Sequence, residues 1–303
     1  MIFNLIYAIR FPDWISDTAI PLPGPLSIKW YGLAYIVGIY LAFLWAARTV
    51  KKKEVWIPEG VTRGSELIPN KRLLEDFTFY CLLGIIVGGR LGYVLLYRPE
   101  FYFSSPVDIF KVWDGGMAFH GGFAGVCLAV WAISRKYKIS LWRWADMAAI
   151  GAPLGLGLVR LANFANQELP GRVTDVPWAF KFWAGDNDQL PRHPSQLYEA
   201  FLEGLVIFLI LWFLARKKKA LTKPGICAGM FFLLYGLFRF GVEFVREPDS
   251  NPIIEGLTRG MTYSLPMVFI GLAIVWWAAK RPPVAPKHMP DDASPSAKTA
   301  KAK

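Results

Sequence analysis

Cysteine and histidine are scarce, with three of each among 303 residues. Cys81, Cys127 and Cys227 all fall in apolar stretches without a CxxC or Cys/His spacing, so neither a structural disulfide nor a zinc site is expected. Thiols buried in apolar surroundings are usually inert, so these three are read as packing residues. No glycine-rich nucleotide loop and no metal-ligand spacing occurs, and no cofactor is expected. An internal repeat is also lacking, which counts against inverted-repeat transporter architecture. The opening Met1–Arg10 has a short apolar stretch, no basic residues ahead of it and no small-residue cleavage site after it, so it does not read as a signal peptide. Acids are outnumbered, 23 against 34 Lys and Arg, for a net charge of +11. In a soluble chain that balance would suggest nucleic acid. Here no nucleic acid is expected, because the charge is clustered at the ends of apolar runs.

Those runs are what the sequence has in abundance. It is 54% hydrophobic and 16% aromatic, with a mean hydropathy of +0.33, too apolar for an ordinary soluble domain. A helix crossing a bilayer needs about 20 mostly apolar residues. Windows of that kind run over Ser27–Ala47, Leu73–Leu96, Met117–Ser134, Trp144–Ala165, Gln196–Ala215, Pro224–Val245 and Thr262–Ala279. The fold class is therefore an all-α polytopic membrane protein of about seven transmembrane helices. Residues 1–281 form a single membrane domain carrying a polar loop at 166–195. Residues 282–303, rich in Pro, Ala and Lys, are expected to be a disordered tail.

Basic residues set the expected orientation. Segments after the first, third, fifth and seventh windows hold 22 of the 34 Lys and Arg. Lys and Arg are retained on the cytoplasmic side, which predicts an external N-terminus and a cytoplasmic C-terminus. Glycines at four-residue spacing (Gly84, Gly88 and Gly92; Gly151 and Gly155; Gly225 and Gly229) predict close helix–helix packing, because small residues let backbones approach in lipid.

Ionisable side chains inside a span cost roughly 2.5–3.5 kcal/mol on insertion scales unless they face the bundle interior or water. Arg90 lies in the second window, Arg160 and Asn163 share a helix face in the fourth, and Arg239 and Glu243 share one in the sixth. An ion pair such as Arg239–Glu243 is the plain structural reading. Three arginines with too few acids in the spans to neutralise them point instead to an anionic ligand, and the planar guanidinium fork suits phosphate. His120 is singled out by its neighbours, Gly115-Gly116 and Gly121-Gly122, because irregular glycine-rich backbone at membrane depth must line a cavity. Imidazole takes a proton near neutral pH, so His120 is a candidate base. In the loop, Trp178, Phe180, Phe182 and Trp183 read either as an interfacial aromatic belt or as a lid over a site.

The ordered motifs resemble those of the bacterial prolipoprotein diacylglyceryl transferases over nearly the whole chain. They are Trp30-Tyr31-Gly32; Gly88-Gly89-Arg90-Leu91-Gly92-Tyr93; Val112-Trp113-Asp114-Gly115-Gly116-Met117-Ala118-Phe119-His120-Gly121-Gly122; Arg160-Leu161-Ala162-Asn163-Phe164-Ala165-Asn166-Gln167-Glu168 with Gly171-Arg172; Arg192-His193-Pro194-Ser195-Gln196-Leu197-Tyr198-Glu199; and Tyr235-Gly236-Leu237-Phe238-Arg239-Phe240-Gly241-Val242-Glu243. Val159, Ala162 and Gln167 depart from the family pattern, and Lys29 stands where a histidine can occur. The resemblance implies transfer of diacylglyceryl from phosphatidylglycerol to the lipobox cysteine thiol of a preprolipoprotein, at the inner membrane and toward its periplasmic side. It implies catalytic roles for His120, Arg160, Asn163, Arg239 and Glu243. Substrate contacts are implied for Arg160, Arg239, Tyr31, Tyr235, Gly171, Glu168, Arg90 and His193. The rival class is a lipid or anion transporter or flippase, which also places charge in spans but makes no covalent product.

Overall fold

The computed structural model describes residues 8–21, 27–58, 66–67, 69–111, 115–183, 190–248, 254–284 and 286–287. Asp114, half of the 57–72 loop and the tail from His288 onward lie outside the described residues. The chain is mainly helical: α1 Trp30–Val50, α2 Lys71–Leu96, α3 Pro99–Ser104, α4 Phe119–Tyr137, α5 Leu141–Ala165, α6 Ser195–Lys217, α7 Ile226–Val242 and α8 Arg259–Lys280. Of these, α1, α2, α5, α6 and α8 are long and apolar enough to cross a membrane. The protein is a polytopic helical membrane protein. Helices α4, with 19 residues, and α7, with 17, cover the two remaining windows.

Boundaries differ from the hydrophobic windows where backbone chemistry intervenes. Ser27–Lys29 is not helical but pairs antiparallel with Thr18–Pro21, so α1 starts at Trp30. Gly115 and Gly116 take positive φ of 81° and 79°, a left-handed conformation that glycine adopts without strain, and α4 starts after them. Gly225, φ 105°, likewise sits ahead of α7, so it is a helix start rather than part of a packing stripe. Within the expected tail, Pro286–Lys287 pairs in parallel with Glu66–Leu67.

The chain divides into two compact units. One comprises residues 1–45 and 146–282; the other comprises 46–145 and 283–303. In the second unit α2 packs antiparallel on α4 through glycine. Gly84 lies against Gly125, and Gly88 and Gly92 lie against Gly121, with no room for a Cβ at any of them. Such contact replaces the hydrophobic drive that lipid cannot supply. Asn70 caps α2 by accepting the Leu73 N–H at 2.9 Å, meeting one of the donors a helix start leaves free.

In the first unit α7 and α8 also pack antiparallel, Gly229 against Val275 and Gly236 against Ser264 and Val268. Buried Asp146 on α5 accepts the Gly225 and Ala228 N–H groups at 2.8 Å each, tying down the start of α7. The polar loop has its own core. Phe164, Phe180 and Phe182 pack with Phe11, and Ile9–Arg10 pairs in parallel with Phe180–Lys181. Phe182 is buried, so these rings hold the loop together rather than form an exposed belt; Trp178 alone of the four is half exposed.

Candidate active site

The charged residues of the first unit converge. Arg160 Nε meets Glu199 Oε2 at 2.7 Å, and Arg160 Nη2 lies 3.7 Å from Glu203 Oε2. Glu199 Oε1 takes Arg239 Nη1 at 3.0 Å and Arg246 Nε at 3.2 Å. Arg239 Nη2 reaches Glu243 Oε1 at 2.5 Å, and Thr258 donates its hydroxyl to the other Glu243 oxygen. Tyr235 interacts with both Arg160 and Glu203. Helices α5, α6 and α7 thus each contribute to one ion-pair network, with Arg246 just past the end of α7.

This arrangement corrects the expectation that the spans hold too few acids. Glu199 and Glu203 on α6 join Glu243, so three carboxylates meet the guanidinium groups of Arg160, Arg239 and Arg246. Both lie in the first turns of the Gln196–Ala215 window, so the same cost of a charge in lipid that marked the arginines was available to mark them. The acid and base side chains are not equally covered, however. Glu199, Glu203 and Glu243 are 2%, 0% and 3% exposed at the side chain, whereas Arg160 and Arg239 are 18% and 15%. The acids lie behind and the two arginines in front, so the accessible face is cationic although the cluster is formally balanced.

Beside it is a second, hydrogen-bonded group. Tyr31 donates its hydroxyl to Glu168, and Asn163 Nδ2 donates to the Tyr31 oxygen. Arg160 and Asn163, three apart on α5, therefore lead into different networks. Glu168 is held by its flanks: Gln167 and Leu169 both adopt positive φ, 58° and 54°. Such non-glycine conformations cost about 1–3 kcal/mol each and persist where the surroundings fix them. Those surroundings are the Gln167 Oε1 accepting the Trp183 N–H at 2.6 Å and the Gln196 Nε2 donating to the Glu168 carbonyl at 2.6 Å. Asn163 Oδ1 is buried and makes no hydrogen bond among the described residues.

Gly171 has no free volume. A Cβ there would run into the Val245 and His193 carbonyl oxygens, and its N–H donates to His193 O at 2.8 Å. Its part is to let two loop strands touch, which only glycine permits. His193 Nδ1 lies 3.2 Å from the Tyr198 hydroxyl. Partial burial holds its imidazole below the usual histidine pKa, opposed by the nearby Asp175 carboxylate.

His120 and Arg90 belong to the second unit. His120 is the second residue of α4 and is exposed. Arg90 is buried and spends Nε on Ile109 O at 2.8 Å, Nη2 on Asp108 O at 2.5 Å and Nη1 on Gly115 O at 2.5 Å. A guanidinium so engaged fixes the loop between α3 and α4 and leaves its fork little to offer a ligand.

A helical membrane protein with paired charges buried among its spans, and arginines turned to the accessible side, is the class this geometry defines. The family described as prolipoprotein diacylglyceryl transferase matches residues 17–277. Similar proteins called phosphatidylglycerol–prolipoprotein diacylglyceryl transferase occur in Brucella anthropi, 47% identical over 274 residues, and Brucella ovis, 46% identical over 274 residues. Each alignment covers 89% of this chain and 94% of the relative. The chain belongs to the prolipoprotein diacylglyceryl transferase family.

Proposed function

We propose that the protein is a transferase that moves diacylglyceryl from phosphatidylglycerol to the lipobox cysteine of a preprolipoprotein. Both substrates appear in the names of its relatives. The acceptor sulfur attacks the glyceryl carbon bearing the phosphate ester, the C–O bond breaks as the C–S thioether forms, and glycerol phosphate leaves. The thiol proton passes to a base, a role that chemistry and the family resemblance give to His120.

The observation that carries this reading is the cationic front of the ion-pair cluster. The phosphate carries one negative charge in the lipid and gains a second on leaving. Donors already held in place stabilise that charge without reorganising during the reaction. Arg160 and Arg239 are such donors, their forks held from behind by Glu199 and Glu243. Tyr31, Asn163 and Glu168 are assigned to the glycerol hydroxyls, Tyr235 and His193 to shaping the pocket, and Gly171 to holding the backbone around it, while Arg90 is assigned to bracing the chain ahead of α4, which carries His120.

Seven spans, an external N-terminus and an inner-membrane site facing the periplasm complete the proposal, supported by the basic residues after alternate windows. Purified protein with phosphatidylglycerol and a lipobox peptide should yield a heavier, thioether-linked peptide. Lipid redistribution across vesicles without that product would instead establish a transporter. Reporter fusions after Ser104 and after Asp186 should both report an external location; a cytoplasmic signal from either would overturn the orientation.

A further inference from the structure

Glu203 is the member of the cluster that ordinary ion pairing does not explain. Its carboxylate is fully buried, with Tyr235 interacting beside it. A buried carboxylate is costly, and it is retained only where something offsets that cost. Its ion pair is with Arg160, whose Nη2 stands 3.7 Å away, outside hydrogen-bond range but within strong electrostatic reach.

Its place on α6 is equally specific. Residues Ala200–Val206 form a π-helical stretch inside that helix, a feature frequent at functional sites. Widening the turn to more than four residues brings positions four apart closer to one line along the helix. Glu199 and Glu203 accordingly address the same guanidinium, one at Nε and the other on the Nη2 side. Nε and Nη2 form one edge of the planar fork. With both acids along that edge, planarity fixes the direction in which Nη1 and the outer hydrogen of Nη2 point. One carboxylate alone leaves the plane free to swing about a single contact. Gly157 and Gly204 lie in close backbone contact, which locks α5 to α6 beside the acids.

We propose that Glu203 is a positioning residue that acts through Arg160: with Glu199 it sets the plane of the guanidinium, so that its outer edge meets the phosphate as charge develops. This rests on the reading of Arg160 as the phosphate donor. Glu203 itself touches neither substrate.

The test is a double-mutant cycle on peptide transfer at varied phosphatidylglycerol, with Glu203→Gln, Arg160→Lys and the combination. Misplacing a catalytic group by about 1 Å can cost 10²-fold, so Glu203→Gln is expected to lower kcat by about tenfold to hundredfold, with a smaller change in KM. In the Arg160→Lys background the same substitution should change kcat by less than about twofold, because the fork it orients is gone. Full kcat in Glu203→Gln, or equal losses in both backgrounds, would overturn the proposal, the second result marking a merely structural residue. If Glu203→Gln does not fold, Glu203→Asp serves in the same cycle. It keeps the charge but draws it back by one methylene, and should again be silent over Arg160→Lys; additive losses overturn the proposal here too. Failure of the underlying reading looks different, since Arg160→Lys alone would then retain wild-type kcat.

Discussion

Arg160 and Glu199 meet at 2.7 Å through Nε and Oε2, joining α5 to α6, while the second Glu199 oxygen is shared by Arg239 and Arg246. One carboxylate is therefore the common counter-charge for three guanidinium groups. Glu199→Gln would keep the shape but leave three buried or half-buried cations without their shared counter-charge. Removing one partner of a buried pair costs about 3–5 kcal/mol. The variant should show a lower thermal midpoint in detergent and lose transfer together. A midpoint equal to wild type would show that the arginines find other partners.

Gly171→Ala should damage the loop rather than the chemistry directly. Its Cβ has nowhere to go between Val245 and His193, where the chain crosses itself at main-chain distance. Overpacking typically costs about 1–3 kcal/mol. Limited proteolysis should cut the 166–195 loop faster in the variant. An unchanged cleavage rate would mean that the two strands separate at no cost.

How much of this was legible beforehand depends on the kind of signal. Helices announced themselves through apolar length, and Arg160, Arg239 and Glu243 through their expense in lipid. Glu199 and Glu203 carried the same expense but sat inside a motif and a strongly apolar window, and only the α5–α6–α7 packing reveals whom they neutralise. Asn163 was expected to work beside Arg160 from its spacing, yet its side chain turns to Tyr31 and Glu168. Helical periodicity gives the face of a helix, not the partner waiting there. The π-helical stretch left no trace in composition, because it is set by tertiary fit. The strand at Ser27–Lys29 was hidden for the opposite reason: three residues are too few for a period to show.

The loop should weaken in acid, and His193 is one reason. Its folded-state pKa is depressed by partial burial, so the folded loop favours neutral imidazole. A depressed histidine contributes stability that is present above its unfolded pKa of about 6.5 and lost as pH falls through the lower folded value. Wild-type protein should therefore lose thermal stability between neutral pH and pH 5, and His193→Asn should lose less. Identical pH dependence in the two proteins would remove His193 from the account.

His120→Asn tests the base. Asparagine retains polarity and size at the second residue of α4 but cannot take a proton. General-base contributions are typically about 10²–10⁴-fold, so transfer should slow by that order while the thermal midpoint holds. The loss should shrink at high pH, where the acceptor thiol, of unperturbed pKa about 8.5, ionises without help. Full activity in properly inserted variant would assign the proton elsewhere.

Arg160→Lys separates charge from geometry. Lysine keeps the positive charge on a flexible stem but gives up the planar donor array that holds Glu199 and Glu203 with one edge and, as proposed, meets phosphate with another. An ammonium drawn toward the two acids has no second edge left to present, so the accessible face of the cluster would lose its cation at this position. The leaving phosphate is more highly charged in the transition state than in the lipid, so a fixed donor binds it more tightly there, and its loss falls on kcat. Losing one preorganised donor costs roughly 10²–10³ in kcat. Steady-state transfer to a lipobox peptide at varied phosphatidylglycerol should show a drop of that size, with any rise in KM smaller. Unchanged kcat with a raised KM would mean that Arg160 only recruits lipid, leaving Arg239, 3.0 Å from the other Glu199 oxygen, as the donor that meets the developing charge.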